Sequence, residues 1–446
     1  MSQKGEMNLQ KLKFSGELGF ILSAAGAAVG LGNIWGFPRC LDDGGGGLFL
    51  LIYLLLNGLV GYPLLMAELA MGRDTGLKPR QAFRKLSGSG LGGALGELAS
   101  LFMMGFYAVL GGCCIRYMLV NLQALFKGEG GGGLGLFLGY ISDVPLSAFY
   151  TVLFIAMAAL IIMAGVDKGL ERFARVAMPM LVLMLPGLIL CSMTLPGAVE
   201  GLAGLFAFPE IAGAGQLFHI TATAFVQMFF SLSIGQAVML TFGAYLPEGV
   251  SIPKCAGAVV LADALIALLA ALAVIPASHA AGGSSGEGAM MLFVTMQSVF
   301  GSMGPWGSLF GALFYLLVLL AALTSAVSLM ETVSAMAGEG AGRKSSALFA
   351  AALSAIPAVA IARDGMGFGA LPEIFGMSWL EAAELLSEGL LMPLCTLLMI
   401  KALWSNSGNQ LLCRQLGRKN AAFSAAVMRY VSPPLLVGAM LWKILG

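Results

Sequence analysis

Asp263 stands in an apolar run, residues 254 to 278, that is long enough to cross a bilayer. An ionised carboxylate at that depth is costly unless paired, so it points to function. Three other runs carry polar atoms at the same depth. Ser231, Ser233 and Gln236 lie within SLSIGQ, at the middle of a run from 216 to 245. Thr324 and Ser325 lie inside the run from 305 to 335, where hydroxyls otherwise bond back to their own helix. Asn33 lies in GAAVGLGNIWGFP, Gly26 to Pro38, which packs four glycines and a proline into thirteen residues of an apolar run. Such groups can do two kinds of chemistry. Oxygens from carbonyls, hydroxyls and a carboxylate can hold a hard cation. Amides freed around Leu31 and Gly32, at the amino end of a half-helix, favour an anion such as an amino-acid carboxylate. Enzyme chemistry has little support: His219 and His279 are the only histidines, and there is no HExxH and no pair of intramembrane aspartates.

The elements that must position these residues are transmembrane helices. Of 446 residues 59% are apolar and 11% charged, and the mean hydropathy is +0.90, a composition of polytopic membrane proteins. A net charge of +1 gives no sign of a nucleic-acid partner. The seven cysteines (40, 113, 114, 191, 255, 395 and 413) lack metal-ligand or paired spacing and read as small apolar fillers. The polar lead-in MSQKGEMNLQKLKFSGE has no signal-peptide pattern. A window of about 20 residues gives eleven spans near 17–40, 47–71, 94–125, 146–165, 172–194, 216–245, 254–278, 305–335, 346–362, 379–403 and 423–445. The long connections around 126–145, 195–215, 279–304 and 363–378 are rich in Gly and Ser. Placing the amino terminus inside puts all but five of the 24 Lys and Arg on the cytoplasmic side, the five being Arg39, Arg116, Lys127, Arg363 and Lys443. The expectation is a multi-pass inner-membrane protein with its carboxyl terminus outside.

Spans one and six are the interrupted ones, and they are five apart. That is the spacing expected if spans one to five (about 17–194) were repeated with inverted topology by six to ten (about 216–403), followed by an extra helix at 423–445. Paired Gly-interrupted spans in corresponding positions are the sequence pointer to a transporter site at the midplane. The competing reading of each glycine is close helix packing. Polar neighbours at both breaks favour a cavity.

The stretches AGAAVGLGNIWGFP, GGGGLFLLIY, GYPLLMAELAMGR, FFSLSIGQA and LAALTSAVSLM, in this order, resemble the neurotransmitter:sodium symporter family, especially its bacterial eleven-span amino-acid carriers on the leucine-transporter fold. The resemblance implies an all-α protein and two sodium sites. The first would use Ala28, Asn33, Ser231 and Asp263 with the substrate carboxylate. The second would use Gly26, Val29, Ala321, Thr324 and Ser325. Tyr107 would join the Leu31 and Gly32 amides on the carboxylate, and Ala27, Ala28, Met103, Phe230, Ser231, Ser233, Gln236, Ser325 and Leu329 would line the pocket. Gln236 would either face a polar group of the substrate or cap a freed carbonyl. Glu68 would accept amide hydrogens released at the two breaks, a structural role.

Gates follow by the same resemblance. Lys11 and Glu339 would form a cytoplasmic latch with Phe14, where the family usually has Trp, and Tyr245. Lys in place of the usual Arg lacks the bidentate fork, so this latch is expected to be looser. Gly169 and Pro179 would let the fifth span unwind. On the outer side the family's gate Arg is replaced by Gly36, and its acidic partner would be Glu384. Gln227 is kept, and Arg39, three residues beyond Gly36, is expected to substitute in part, unless a lid of Tyr107 and Phe230 closes the site.

These readings imply a sodium-coupled symporter of a neutral, hydrophobic L-amino acid. Because Asp263 supplies a fixed negative charge, chloride is expected to be dispensable. A sodium-coupled carrier of a small amine or zwitterionic osmolyte on the same scaffold is the alternative, and a passive channel would differ by failing to concentrate its cargo.

Overall fold

The computed structural model describes residues 13–127, 133–211, 213–280, 290–338, 340–369 and 371–445. Lys11 and Glu339, the expected latch, lie outside them. Among the described residues there is no strand, and nine helices are long and apolar enough to cross a membrane. A tenth crossing is the bent pair Glu17–Ala28 and Gly32–Asp43, with 55° between its halves. The sixth span is likewise split, into Ala214–Ser231 and Val238–Ala244.

Small residues set how closely these helices approach. The third span (Leu91–Lys127) and the eighth (Gly307–Ser334) are almost wholly buried at the centre. Around them the second, fourth, fifth, ninth and eleventh spans turn leucines such as Leu59, Leu160 and Leu183 outward. The second span (Gly47–Thr75) meets the second half of the sixth backbone to backbone. A Cβ on Gly72 would stand 2.0 Å from the Leu240 carbonyl oxygen, and one on Gly243 would stand 2.4 Å from that of Leu69.

The first span stops being helical at Val29, which is extended at φ −78° and ψ 99°. A π turn over Gly32–Gly36 then continues into Phe37–Asp43, and Pro38, which has no N–H to offer the turn before it, stands where the two join. The break in the sixth span is more severe. Ser233, Gly235 and Ala237 all have positive φ (54°, 80° and 57°), and for the two non-glycine residues this conformation costs energy that the surroundings must supply. The fifth span opens with a π turn at Val166–Glu171, which contains Gly169, and carries Pro179 and also Pro186 inside Arg172–Ser192.

The connections are more structured than their glycine content suggests. Gly133–Ser142 is a helix because Phe137, Tyr140 and Ile141 recur at helical spacing and are buried, and Ala198–Leu205 forms another. Pro79–Ser87 and Asn406–Leu416 are helices as well.

Replacing Gly72 by Ala forces a methyl group into the Leu240 carbonyl, which has no rotamer with which to yield. The variant is expected to lose about 1–3 kcal/mol and to melt several degrees lower. Gly58→Ala, where a Cβ meets nothing within 4 Å, should melt like the parent. Equal melting temperatures for both variants would show that this helix contact is not close.

Candidate functional site

Asp263 gathers three spans around its own. Its Oδ1 accepts hydrogen bonds from Asn33 Nδ2 (2.7 Å) and Ser231 Oγ (2.6 Å), and its Oδ2 accepts from the Tyr53 hydroxyl (3.0 Å). Asn33 Oδ1 in turn accepts from the amide of Gly30 (3.0 Å), inside the first break. All three donors to the fully buried carboxylate are neutral. Its hydrogen-bonding capacity is largely met while its charge is not, an arrangement that favours a cation beside it. Tyr53 escaped the sequence reading, since a tyrosine in an apolar span looks like an ordinary core aromatic. Ala28 lines the adjoining small cavity.

A second cluster holds oxygens only. Thr324 Oγ1 lies 2.9 Å from the Ala321 carbonyl oxygen and 3.4 Å from that of Val29. Ser325 Oγ lies 3.3, 3.2 and 3.4 Å from the carbonyl oxygens of Gly26, Ala27 and Val29. One hydroxyl hydrogen cannot serve three carbonyls, so the cluster has acceptor capacity to spare, which suits a hard cation. Thr324 turns back onto Ala321 of its own helix, whereas Ser325 reaches across to the first span, which approaches so closely that a Cβ on Gly26 would be 3.2 Å from Thr324 Cβ.

Between the clusters lies a small cavity of about 10 Å³ lined by Ala27, Ala28, Gly32, Met103, Tyr107, Phe230, Ser231, Ser233, Gln236, Ser325 and Leu329. Val238 and Ser328 also line it and were not anticipated; Ser328, one helical turn beyond Ser325, could have been. Leu31 lines the larger vestibule above, about 220 Å³, instead. Phe230 borders both spaces and packs onto Gly32, where a Cβ would fall 2.3 Å from its ring. Among the described residues Gln236 caps no freed carbonyl: its side-chain amide lies 3.5 Å from Met392 Sδ, and its own carbonyl accepts from Ser100 Oγ (2.7 Å). Ser233 Oγ donates to the Ala27 carbonyl (3.1 Å), and the Gly235 amide donates to Glu68 (3.2 Å), so the two breaks are tied to each other and to the second span.

The outer gate differs from expectation. Arg39 does not pair with Glu384; it lies 3.7 Å from Asp43, one turn along its own helix, with both side chains well exposed. The span-ten acid that carries an ion pair is Glu388, whose partner is Lys443 at 3.2 Å. Gln227 donates to the Gly32 carbonyl (3.0 Å). On the amino-terminal face, Phe14 is buried against Phe20, Phe242 and Tyr245, and its amide donates to the Tyr245 carbonyl (3.1 Å). Tyr245 donates to Glu331 (2.7 Å), which Arg343 grips with two bonds of 2.6 Å. Ser15 donates to Glu171, which also pairs with Arg175, and Glu17 pairs with Lys254 at 2.7 Å. Phe14 and Tyr245 apart, no sequence motif marked the residues of these groups, because their contacts join segments far apart in the chain.

Glu68→Ala leaves the buried Gly235 amide unpaired and is expected to cost about 1–3 kcal/mol, read as a lower melting temperature. Glu68→Gln keeps an acceptor oxygen and should recover most of the loss. Equal melting of the two variants would exclude this bond as a support of the break.

Comparison with known proteins adds identity to this geometry. The sodium:neurotransmitter symporter family matches residues 11–127 and 139–445. YhdH, an uncharacterised sodium-dependent transporter of Bacillus subtilis strain 168, is 35% identical over 402 residues, 88% of each chain. The Mus musculus sodium-dependent neutral amino acid transporter B(0)AT3 is 28% identical over 295 residues, 59% of this chain and 47% of the relative. The crystal structure of MhsT in complex with L-phenylalanine aligns with a TM-score of 0.87 at 29% identity, over 97% of this chain and 99% of that one. The architecture is the leucine-transporter fold, and the chain belongs to the sodium:neurotransmitter symporter family, as a sodium-dependent transporter and not an enzyme.

Proposed function

We propose that this transporter carries a neutral, hydrophobic L-amino acid into the cell together with sodium, by alternating access. The observation that carries the reading is the pair of oxygen clusters flanking one small cavity of mixed polar and apolar lining: a buried carboxylate with only neutral donors on one side, and six oxygens from two spans on the other. In this reading Ala28, Asn33, Ser231 and Asp263 hold one sodium ion with the substrate carboxylate. Gly26, Val29, Ala321, Thr324 and Ser325 hold a second. The amides of Leu31 and Gly32 and the Tyr107 hydroxyl receive the carboxylate. Met103, Val238 and Leu329 offer apolar surface to the side chain, with Phe230 closing above. MhsT was solved with a hydrophobic amino acid, L-phenylalanine, and the apolar part of the lining here, Met103, Val238, Leu329 and Phe230, supports a cargo of that class.

The vestibule ending on Phe230 is the extracellular path, and the contacts around Phe14, Glu171 and Glu331 close the cytoplasmic one. Rocking of the repeats about 17–194 and 216–403 exchanges them, with the π turn at Gly169 and the kink at Pro179 giving the fifth span its freedom. A small amine without a carboxylate would leave the first sodium ion one oxygen short.

Thermal melting of the purified protein separates these cargoes. L-phenylalanine and similar amino acids should raise the melting temperature in sodium chloride and leave it unchanged when potassium replaces sodium. A shift produced by a decarboxylated amine such as phenethylamine, and by no amino acid, would overturn the proposal. The charge on Asp263 makes a second expectation: replacing chloride by gluconate should leave sodium-driven uptake within about twofold of its value, because balancing charge is already fixed in the protein. If uptake stops in gluconate, Asp263 does not serve that role.

A further inference from the structure

Among the described residues the vestibule contains one ion pair between separate helices. Lys443, on the last helix, places Nζ 3.2 Å from Glu388 Oε2 on the tenth span, with side-chain exposures of only 28% and 11%. The fit is built from both sides. The tenth span widens into a π turn over Leu385–Leu391, which presents Glu388 and then Gly389. A Cβ on Gly389 would stand 3.2 Å from Lys443 Cγ, so glycine there leaves the lysine stem its room. Next to Lys443, the ring of Trp442 lies edge-on to His219 at 5.5 Å, which seats the last helix on the half-helix carrying Phe230. Lys443, Glu388, Phe229 and Phe230 also line one small apolar pocket, so the pair abuts the ring that separates vestibule from cavity.

The opposite wall offers no comparable charge. Gly36 has no side chain, and Arg39 is turned to Asp43 at 3.7 Å with exposures of 43% and 63%. A pair that open to water is screened and holds little, whereas one mostly withdrawn from water is screened far less.

We propose that Lys443 is the gate cation of this transporter. Its pair with Glu388 holds the tenth span and the last helix together over Phe230 when the vestibule closes, and the pair breaks and rehydrates when the vestibule opens. The last helix is then a working part of the gate. This inference rests on the reading that the vestibule is the extracellular path.

Cys40 lines the vestibule and provides the readout. Of the other cysteines only Cys413 is exposed, so Cys413→Ser makes a suitable parent. Intact cells are treated with a membrane-impermeant cationic methanethiosulfonate in sodium chloride with no amino acid added, and labelling is normalised to total thiol after denaturation. Adding Cys40→Ser should abolish the signal. In the parent background, Lys443→Gln and Glu388→Gln should each label Cys40 about three- to tenfold faster, because the open vestibule becomes more populated. The exchanged double variant K443E/E388K should return to within about twofold of the parent, since it restores an ion pair in reversed order. Parental rates in both single variants, or a double variant as fast as the singles, would overturn the proposal. If the vestibule opens instead to the cytoplasm, the parent will label only in inside-out vesicles. That result would refute the transport direction, and the same variants compared in those vesicles still decide the role of Lys443.

Discussion

At bilayer depth an unpaired amide or carbonyl has no water to turn to, and this constraint governs the architecture. Two helices nevertheless release their backbone at 29–31 and 232–237, and the surrounding spans are arranged to receive what is released. Glu68 takes the Gly235 amide, Ser100 bonds the Gln236 carbonyl, and Ser233 ties one break to the other. These bonds sustain the positive φ of Ser233 and Ala237, which no isolated chain would choose. The same released groups supply oxygens and amides at the cavity, so holding the breaks and building the site are one arrangement.

Charge follows a parallel logic. Three of the buried carboxylates differ in what they are given. Glu331 receives a two-pronged Arg343, Glu171 receives Arg175, and both sit near the amino-terminal face. Asp263, at the centre, receives only neutral donors. Glu331 and Arg343 join two helices, and Glu171 reaches Ser15 as well as Arg175, while Asp263 keeps a charge that no side chain of the protein balances in this cluster, the feature on which the proposed sodium site rests.

What could be read in the sequence was whatever stands out against an apolar background. Glycines and a proline inside a span, a lone aspartate and two mid-span hydroxyls are conspicuous there, and they led to both breaks; most of the other residues now seen around the cavity followed only from the family resemblance. Less visible were residues whose significance depends on a partner far along the chain. Tyr53 passes for a core aromatic until Asp263 is found 3.0 Å from its hydroxyl. Glu331 and Arg343 belong to different spans, and their meaning lies in the contact. Lys443, near the end of a helix, reads as a lysine reaching for the interface, and only the fold shows it turned inward to Glu388. Arg39 was misread for the converse reason: closeness in sequence to Gly36 suggested a substitute, but its own helix offers Asp43 one turn away.

The partition between vestibule and cavity is one residue thick, a single ring at Phe230 resting on Gly32. Rotation of one side chain is quicker than collective movements of helices, which take microseconds to milliseconds. A divider that fast cannot set the tempo of a transport cycle. It can only follow, so the clock of this molecule must reside in the slower events: the parting of ion pairs between helices and the rearrangement of the broken spans on which the ring is carried.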